Sequence, residues 1–162
     1  MKKENTNKDQ SDILEIPYSY LAEYLYSYGE ISRFFKEIIE NKRLLASKCS
    51  ICGKVWMHPR GYCSDCYTAT EWVPLTGKGT VVSAAYCFFS ASKEQDMPKL
   101  FDLPYVLAII KLDGADTCML HTVVSEKRIL GSISPGTRVK VAWMEKRTGT
   151  ITDFYFVPET DI

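Results

Sequence analysis

The feature that most constrains this chain is a pair of Cys-x-x-Cys knuckles, Cys49-Ser-Ile-Cys52-Gly53 and Cys63-Ser-Asp-Cys66, with ten residues between them. Two thiolates at that spacing reach one metal ion from a single tight turn, and Gly53 lets the backbone curl so that N–H groups face the sulfurs. Four sulfurs fill the tetrahedral shell that Zn²⁺ prefers, with iron as the rival metal. The spacer is shorter than the roughly 15–20 residues of one common zinc pattern, but it suffices for a hairpin that brings the knuckles face to face. Cys49, Cys52, Cys63 and Cys66 leave no open position for water, so the spacing predicts a structural metal and not a catalytic one.

Two other chemistries use cysteines at such spacings. A disulfide framework belongs to an oxidising compartment. The N-terminus here, Met-Lys-Lys-Glu-Asn-Thr-Asn-Lys-Asp-Gln, is polar with no apolar h-region, and the expectation is a cytoplasmic protein with reduced thiols. A redox Cys-x-x-Cys needs one motif on a strand-to-helix turn, and two matched motifs fit a metal better. Hydrophobic residues make up 46% of the 162 residues, enough for a core, and no apolar run approaches the ~20 residues of a membrane span. Twenty basic residues balance twenty acidic ones. That balance steers the chain neither to nucleic acid nor to anionic membranes, and gives little protection against association with a partner.

The expected organisation is mainly β with N-terminal helices: a tail over 1–15, a helical segment over 16–43, a rubredoxin-like zinc ribbon over 44–74, and a five-stranded OB-fold barrel over 75–162. Residues 1–12 are charged and aperiodic. Five of the ten tyrosines fall within Tyr18–Tyr28, and Tyr18, Leu21, Leu25 and Tyr28 follow helical spacing. Tyrosine buries area while keeping a polar tip, so this stretch reads either as an interface or as self-packing. Ser27-Tyr-Gly-Glu30 matches a capping box ahead of Ile31, Phe34, Phe35, Ile38 and Ile39, which share one face of a helix stopping near Asn41. A helix this short must pack its stripe on the ribbon, the barrel or another subunit.

Leu44-Leu45-Ala46 leads into the first knuckle. Val55-Trp56-Met57 reads as a short strand, His58-Pro59-Arg60-Gly61 as a turn, and Trp56 as a cover for the metal. Thr70–Leu75 reads as a linking strand. Strands are expected over 80–89, 104–112, 117–124, 138–143 and 150–157, punctuated by Asp113-Gly114 and Pro135-Gly136. A short helix fits within 125–133. The long connection 90–103 is a candidate for ligand or partner contact, against the plainer reading of a surface loop.

No catalytic constellation is apparent. The chain has no Gly-x-Ser-x-Gly, P-loop or dinucleotide fingerprint. Cys118 and His121 lie three apart on a strand, hence on opposite faces, and cannot easily pair as nucleophile and base. Cys87 and Cys118 sit among apolar neighbours and read as inert core thiols. Asp113, Asp116 and Asp153 fall at turns or strand ends, where solvated carboxylates are usual.

A helix with Phe34-Phe35, then Leu44-Leu45, Cys49, Cys52, Gly53, Pro59, Cys63 and Cys66 form an ordered series. Trp72, Gly77-Lys-Gly79-Thr80-Val81, Pro104-Tyr105-Val106, Ile110–Asp113 and Gly136-Thr-Arg-Val139-Lys-Val141 continue it. This order, over about residues 31–157, resembles a family of zinc-ribbon plus OB-fold proteins associated with acyl-CoA enzymes and long catalogued as a domain of unknown function. The resemblance implies a non-catalytic companion that docks on a thiolase-like catalytic subunit, or on an acyl-CoA lyase or hydratase, with acyl-CoA as a shared ligand. The catalytic residues would then lie on the partner. CoA phosphates need cations, for which Lys99, Lys127, Arg128 and Arg138 are candidates, each also readable as a solvated surface charge. The competing class is single-stranded nucleic-acid binding, with Tyr86, Phe88, Phe89, Tyr105 and Trp143 as stacking faces, and the neutral charge balance counts against it. On either reading the knuckles act as a staple, holding the helix of residues 30–40 beside the barrel.

Overall fold

The computed structural model describes residues 16, 23–88, 105–125 and 132–159. The helix α1, Ser32–Asn41, is followed by strands β1 (Leu44–Cys49), β2 (Val55–Trp56) and β3 (Thr70–Leu75), then by β4 (Lys78–Cys87), β5 (Tyr105–Leu112), β6 (Cys118–Val123), β7 (Arg138–Trp143) and β8 (Phe154–Pro158). The first three strands form a sheet in the order β2-β1-β3, and the other five close a barrel in the order β4-β5-β6-β8-β7. The chain is therefore mainly β, with one N-terminal helix, a four-cysteine ribbon and a five-stranded closed barrel whose first-second-third-fifth-fourth order is that of an OB-fold.

The start of the helix differs from the capping box. Ser27 Oγ accepts the N–H of Gly29, two residues on, at 3.0 Å. A 3₁₀ turn over Gly29–Ile31 then feeds α1, whose N-cap position carries no side-chain cap. Gly29 adopts φ +58, and that left-handed step lets the serine close a local turn instead of capping the helix. The Glu30 carboxylate lies instead over Gly61, where an added Cβ would collide with it. The helix stops after Asn41, with Lys42 at φ 48 and its N–H bonded to Glu37 O. Phe34 and Ile38 are buried, as the periodicity predicts, while Ile39 at the edge of the stripe stays 37% exposed. Upstream, Tyr24, Leu25 and Tyr26 are exposed and non-helical, and Tyr28 stacks on Phe35 with ring centroids 4.1 Å apart.

Thr70–Leu75 does more than link. It pairs antiparallel with the whole of β1, Leu44 opposite Leu75 through Cys49 opposite Thr70. In β1 the four residues Leu44 to Ser47 are all buried, so both faces of this central strand are covered. One apolar core continues from Phe34 and Ile38 through Leu44, Leu45 and Met57 into Val81, Val106, Ile110, Met119, Val139, Phe154 and Phe156 of the barrel. Gly79 sits where β4 crosses β5 so closely that a Cβ would stand 2.7 Å from Lys111 O. Among the described residues no helix is long and apolar enough to cross a membrane.

Strand β8 begins at Phe154 and not at Thr150. Residues Ile151–Asp153 form a 3₁₀ turn with Thr150 and Asp153 as a reciprocal capping box. Asp153 is 4% exposed, a correction to its reading as a solvated carboxylate. Its oxygens accept N–H bonds from Thr148, Gly149 and Thr150 and a hydroxyl bond from Thr150. Burial works against the charge, but these donors outweigh it and hold the carboxyl below the usual aspartate range. The connection 90–103 lies outside the described residues, as does most of the short helix expected within 125–133.

Candidate metal centre

The two knuckles are the same turn built twice. In the first, Cys49 N–H bonds Lys54 O at 2.9 Å and Gly53 N–H bonds Cys49 O at 3.0 Å. In the second, Cys63 N–H bonds Thr68 O at 2.8 Å and Tyr67 N–H bonds Cys63 O at 2.9 Å. Each turn needs a left-handed residue four positions after its first cysteine: Gly53 at φ +75 and Tyr67 at φ +54. Glycine marks the first turn in the sequence, whereas the second carries a tyrosine that is 86% exposed and gives no such signal.

The sulfurs of Cys49, Cys52, Cys63 and Cys66 all lie within 4.8 Å of one another. The Ile51 and Cys52 N–H groups point at Cys49 Sγ at 3.4 and 3.5 Å. Burial pushes the Cys63 thiol up, but the backbone N–H groups of Asp65 and Cys66 outweigh it and hold this thiol down at about 6. Cys66, hydrogen-bonded to Cys52 and partly buried, is pushed up to about 12. Four converging sulfurs in an N–H cradle fit a soft, tetrahedrally bound cation, and their chemistry selects Zn²⁺ or iron. Trp56 packs on Cys49 and Cys63 as the sequence predicts, and its buried Nε1 has no hydrogen-bond partner among the described residues. Lys54 Nζ and Arg60 Cζ stand 4.2 and 4.1 Å from the centre of its ring.

The ribbon is tied to the barrel through the turn between β5 and β6. Asp116 Oδ2 accepts the Val55 N–H at 2.7 Å, and Val55 O accepts the Asp116 N–H at 2.9 Å. Thr117 Oγ1 accepts from Met57 N and donates to Met57 O, both at 2.7 Å. The edge of β2 is thus paired by the barrel, and Asp116 is a bracing group.

Of the candidate ligand cations, Arg138 lies among the described residues. Lys99, Lys127 and Arg128 fall outside them. Arg138 is at the β4–β7 seam, bidentate to Asp113 at 2.8 and 2.6 Å, with Thr80 Oγ1 at 2.9 Å and Glu159 at 3.6 Å. Its charge serves the closure of the barrel, and the same pairing holds the Asp113 carboxyl below its ordinary value. Tyr86 and Phe88 stack with centroids 6.2 Å apart, Trp143 packs against Phe154, and Phe89 is outside the described residues.

Cys118 and His121 do occupy opposite faces, Cys118 exposed and His121 buried, so Cys118 is not the core thiol expected; Cys87 is half-buried. His121 Nδ1 accepts the Thr122 N–H at 2.9 Å, which leaves its Nε2–H to donate to Ile151 O at 3.0 Å. Burial pushes this imidazole below its ordinary pKa despite both bonds, and it stacks on Phe154. Both ring nitrogens are engaged, Nε2 with the corner at residue 151 and Nδ1 with the backbone of its own strand.

Some surface features carry no motif. Ile51, Tyr62 and Tyr67 expose large side chains on the ribbon. A groove of 380 Å³ runs between Glu30 and Arg33 of the helical side and Tyr62, Thr70 and Trp72 of the ribbon. The Arg33 guanidinium stands 5.6 Å over the Trp72 ring there. Neither patch has a periodic signature, because it is assembled from separate elements.

No protein-family model matches the chain. Solved structures do share its fold. One is described as Ltp2-ChsH2(DUF35) aldolase; the match has a TM-score of 0.60 at 20% identity and covers 83% of this chain and 97% of that one. Another is a protein of unknown function from the DUF35 family of Sulfolobus solfataricus, with a TM-score of 0.58 at 18% identity, covering 83% and 90%. The class of the molecule is therefore a ribbon-and-barrel protein with the fold seen in DUF35 structures. At these identities the likeness is one of fold.

Proposed function

We propose that this chain is a non-catalytic, zinc-binding accessory subunit of a thiolase-type acyl-CoA enzyme complex, which docks on the catalytic subunit and helps to form or stabilise its acyl-CoA site. The observation that carries the reading is the match to a chain of the Ltp2-ChsH2(DUF35) aldolase over 97% of that chain's length. Both ring nitrogens of His121 are already engaged by backbone groups. Bound zinc supplies structure here, by cross-linking the two knuckles of a small sheet. That the matched structure is an aldolase favours a second version of the same role, as companion of an acyl-CoA lyase. A small subunit of a benzoylsuccinyl-CoA-type thiolase is the particular assignment to test first.

The test is purification from the native host with the co-purifying chain identified by mass spectrometry, followed by acyl-CoA assays of each chain alone and of the complex. Recovery of a thiolase-fold partner whose activity rises several-fold with this chain supports the proposal. Recovery of RNA, or acyl-CoA turnover by this chain alone, sinks it.

A further inference from the structure

The four-cysteine cluster has two unlike edges. Cys49 and Cys63, the first cysteine of each knuckle, are 0% and 1% exposed and lie against Trp56. Cys52 is exposed and Cys66 half-buried. Metal leaves such a cluster by way of its accessible sulfurs, where water, protons and competing chelators arrive first. Each turn is closed by its own backbone hydrogen bonds, so the turns can stay intact while the two knuckles part.

An ion pair joins the two knuckles. Lys54, two residues after Cys52, holds Asp65, the residue before Cys66, at 2.9 Å. The lysine is doubly located, because its Nζ also stands 4.2 Å over the Trp56 ring, with Arg60 4.1 Å from the same ring. Ser64 Oγ, within the second knuckle, bonds the other oxygen of Asp65 at 3.3 Å. An exposed pair is ordinarily worth little. This one differs in placement, since it joins the two halves of a four-ligand site.

We propose that Lys54 and Asp65 form a clasp between the two knuckles that slows metal release by holding them together. The inference rests on the reading that the four cysteines bind zinc. A different account assigns only charge: Lys54 offsets the negative thiolates and Asp65 opposes them. The two accounts give opposite signs for the loss of the Asp65 charge.

The test uses the full chain loaded with zinc, its metal content measured first. Zinc transfer to a chromogenic chelator in excess is then timed at neutral pH and low salt. Lys54→Met and Asp65→Asn should each release zinc about threefold faster, the scale of a well-placed exposed pair. The double variant should be no faster than either single. The exchanged pair, Lys54→Asp with Asp65→Lys, should return towards the wild-type rate. High salt should speed wild type towards the variants and leave the double variant unchanged. Slower release from Asp65→Asn, or rates for both single variants equal to wild type, would overturn the clasp while leaving the zinc reading intact. A wild-type chain that binds no zinc would overturn the underlying reading instead.

Discussion

Asp153 shows how far a single side chain can depart from its local signature. Its neighbours Thr148, Gly149, Thr150 and Thr152 read as a polar turn, yet the carboxylate is buried and collects three backbone N–H groups. Asp153→Ala should cost about 2–3 kcal/mol, because buried donors lose their acceptor; chemical denaturation at neutral pH measures it. Two of the depressed pKa values, those of the buried His121 and Asp153, shape the pH dependence. His121 is held neutral, so stability is complete above its unfolded pKa of about 6.5 and falls as protons bind the unfolded chain below that. Asp153, also depressed, contributes above about pH 4 and is lost as pH falls through its folded value. Denaturation midpoints measured across this range should therefore decline in two stages in wild type, and Asp153→Asn should show a smaller second stage, because Asp113 and the other paired carboxylates still contribute to it.

At the scale of elements, α1 depends on a residue far from it in sequence. Arg147, in the connection between β7 and β8, donates to Ile38 O at 3.1 Å and to Ile39 O at 3.1 and 3.3 Å, while holding Met144 O and Glu145 O of its own loop. A guanidinium on the last carbonyls of a helix satisfies groups that have no partner within it and meets the negative end of its dipole. Arg147→Ala should destabilise by about 1–2 kcal/mol, and hydrogen exchange should show the loss concentrated in α1 and the 144–153 corner. Phe34 and Ile38 announce which face of the helix is buried, because periodicity is a local property. Arg147 announces nothing, because a separation of more than a hundred residues is closed only by the fold. The knuckles divide in the same way: Gly53 is legible as a turn former, whereas Tyr67 takes the matching left-handed position without any cue.

Among the described residues the ribbon and the barrel share one large core, beside which Cys49, Trp56 and Cys63 form a small second cluster. Leu44, Leu45 and Met57 of the ribbon touch the same cluster as Val81, Ile110 and Phe156 of the barrel, and the β2 edge is bonded to Asp116 and Thr117. Loss of the metal should therefore spread beyond the ribbon. Cys49→Ser or Cys63→Ser should cost zinc content, solubility and partner binding together, checked by metal analysis and co-purification. Full zinc and full complex activity in either variant would contradict the four-thiolate assignment.

What the sequence determined by itself is what short-range chemistry encodes. The paired cysteines specify a four-sulfur cluster, the 3.6-residue stripe specifies a helix with Phe34 and Ile38 inward, and period-two apolar runs with their turn dipeptides specify the barrel strands. Only the tertiary structure decided what those elements spend their polar groups on. It set Arg138 on Asp113 at the barrel seam, sank Asp153 among backbone donors, and turned the linking strand into the long partner of β1. It also placed Lys54 against Asp65 across the knuckles. The reason is physical: a charge or hydrogen-bonding group takes whichever partner the packing brings within about 3 Å, and packing is fixed by burial summed over the whole chain.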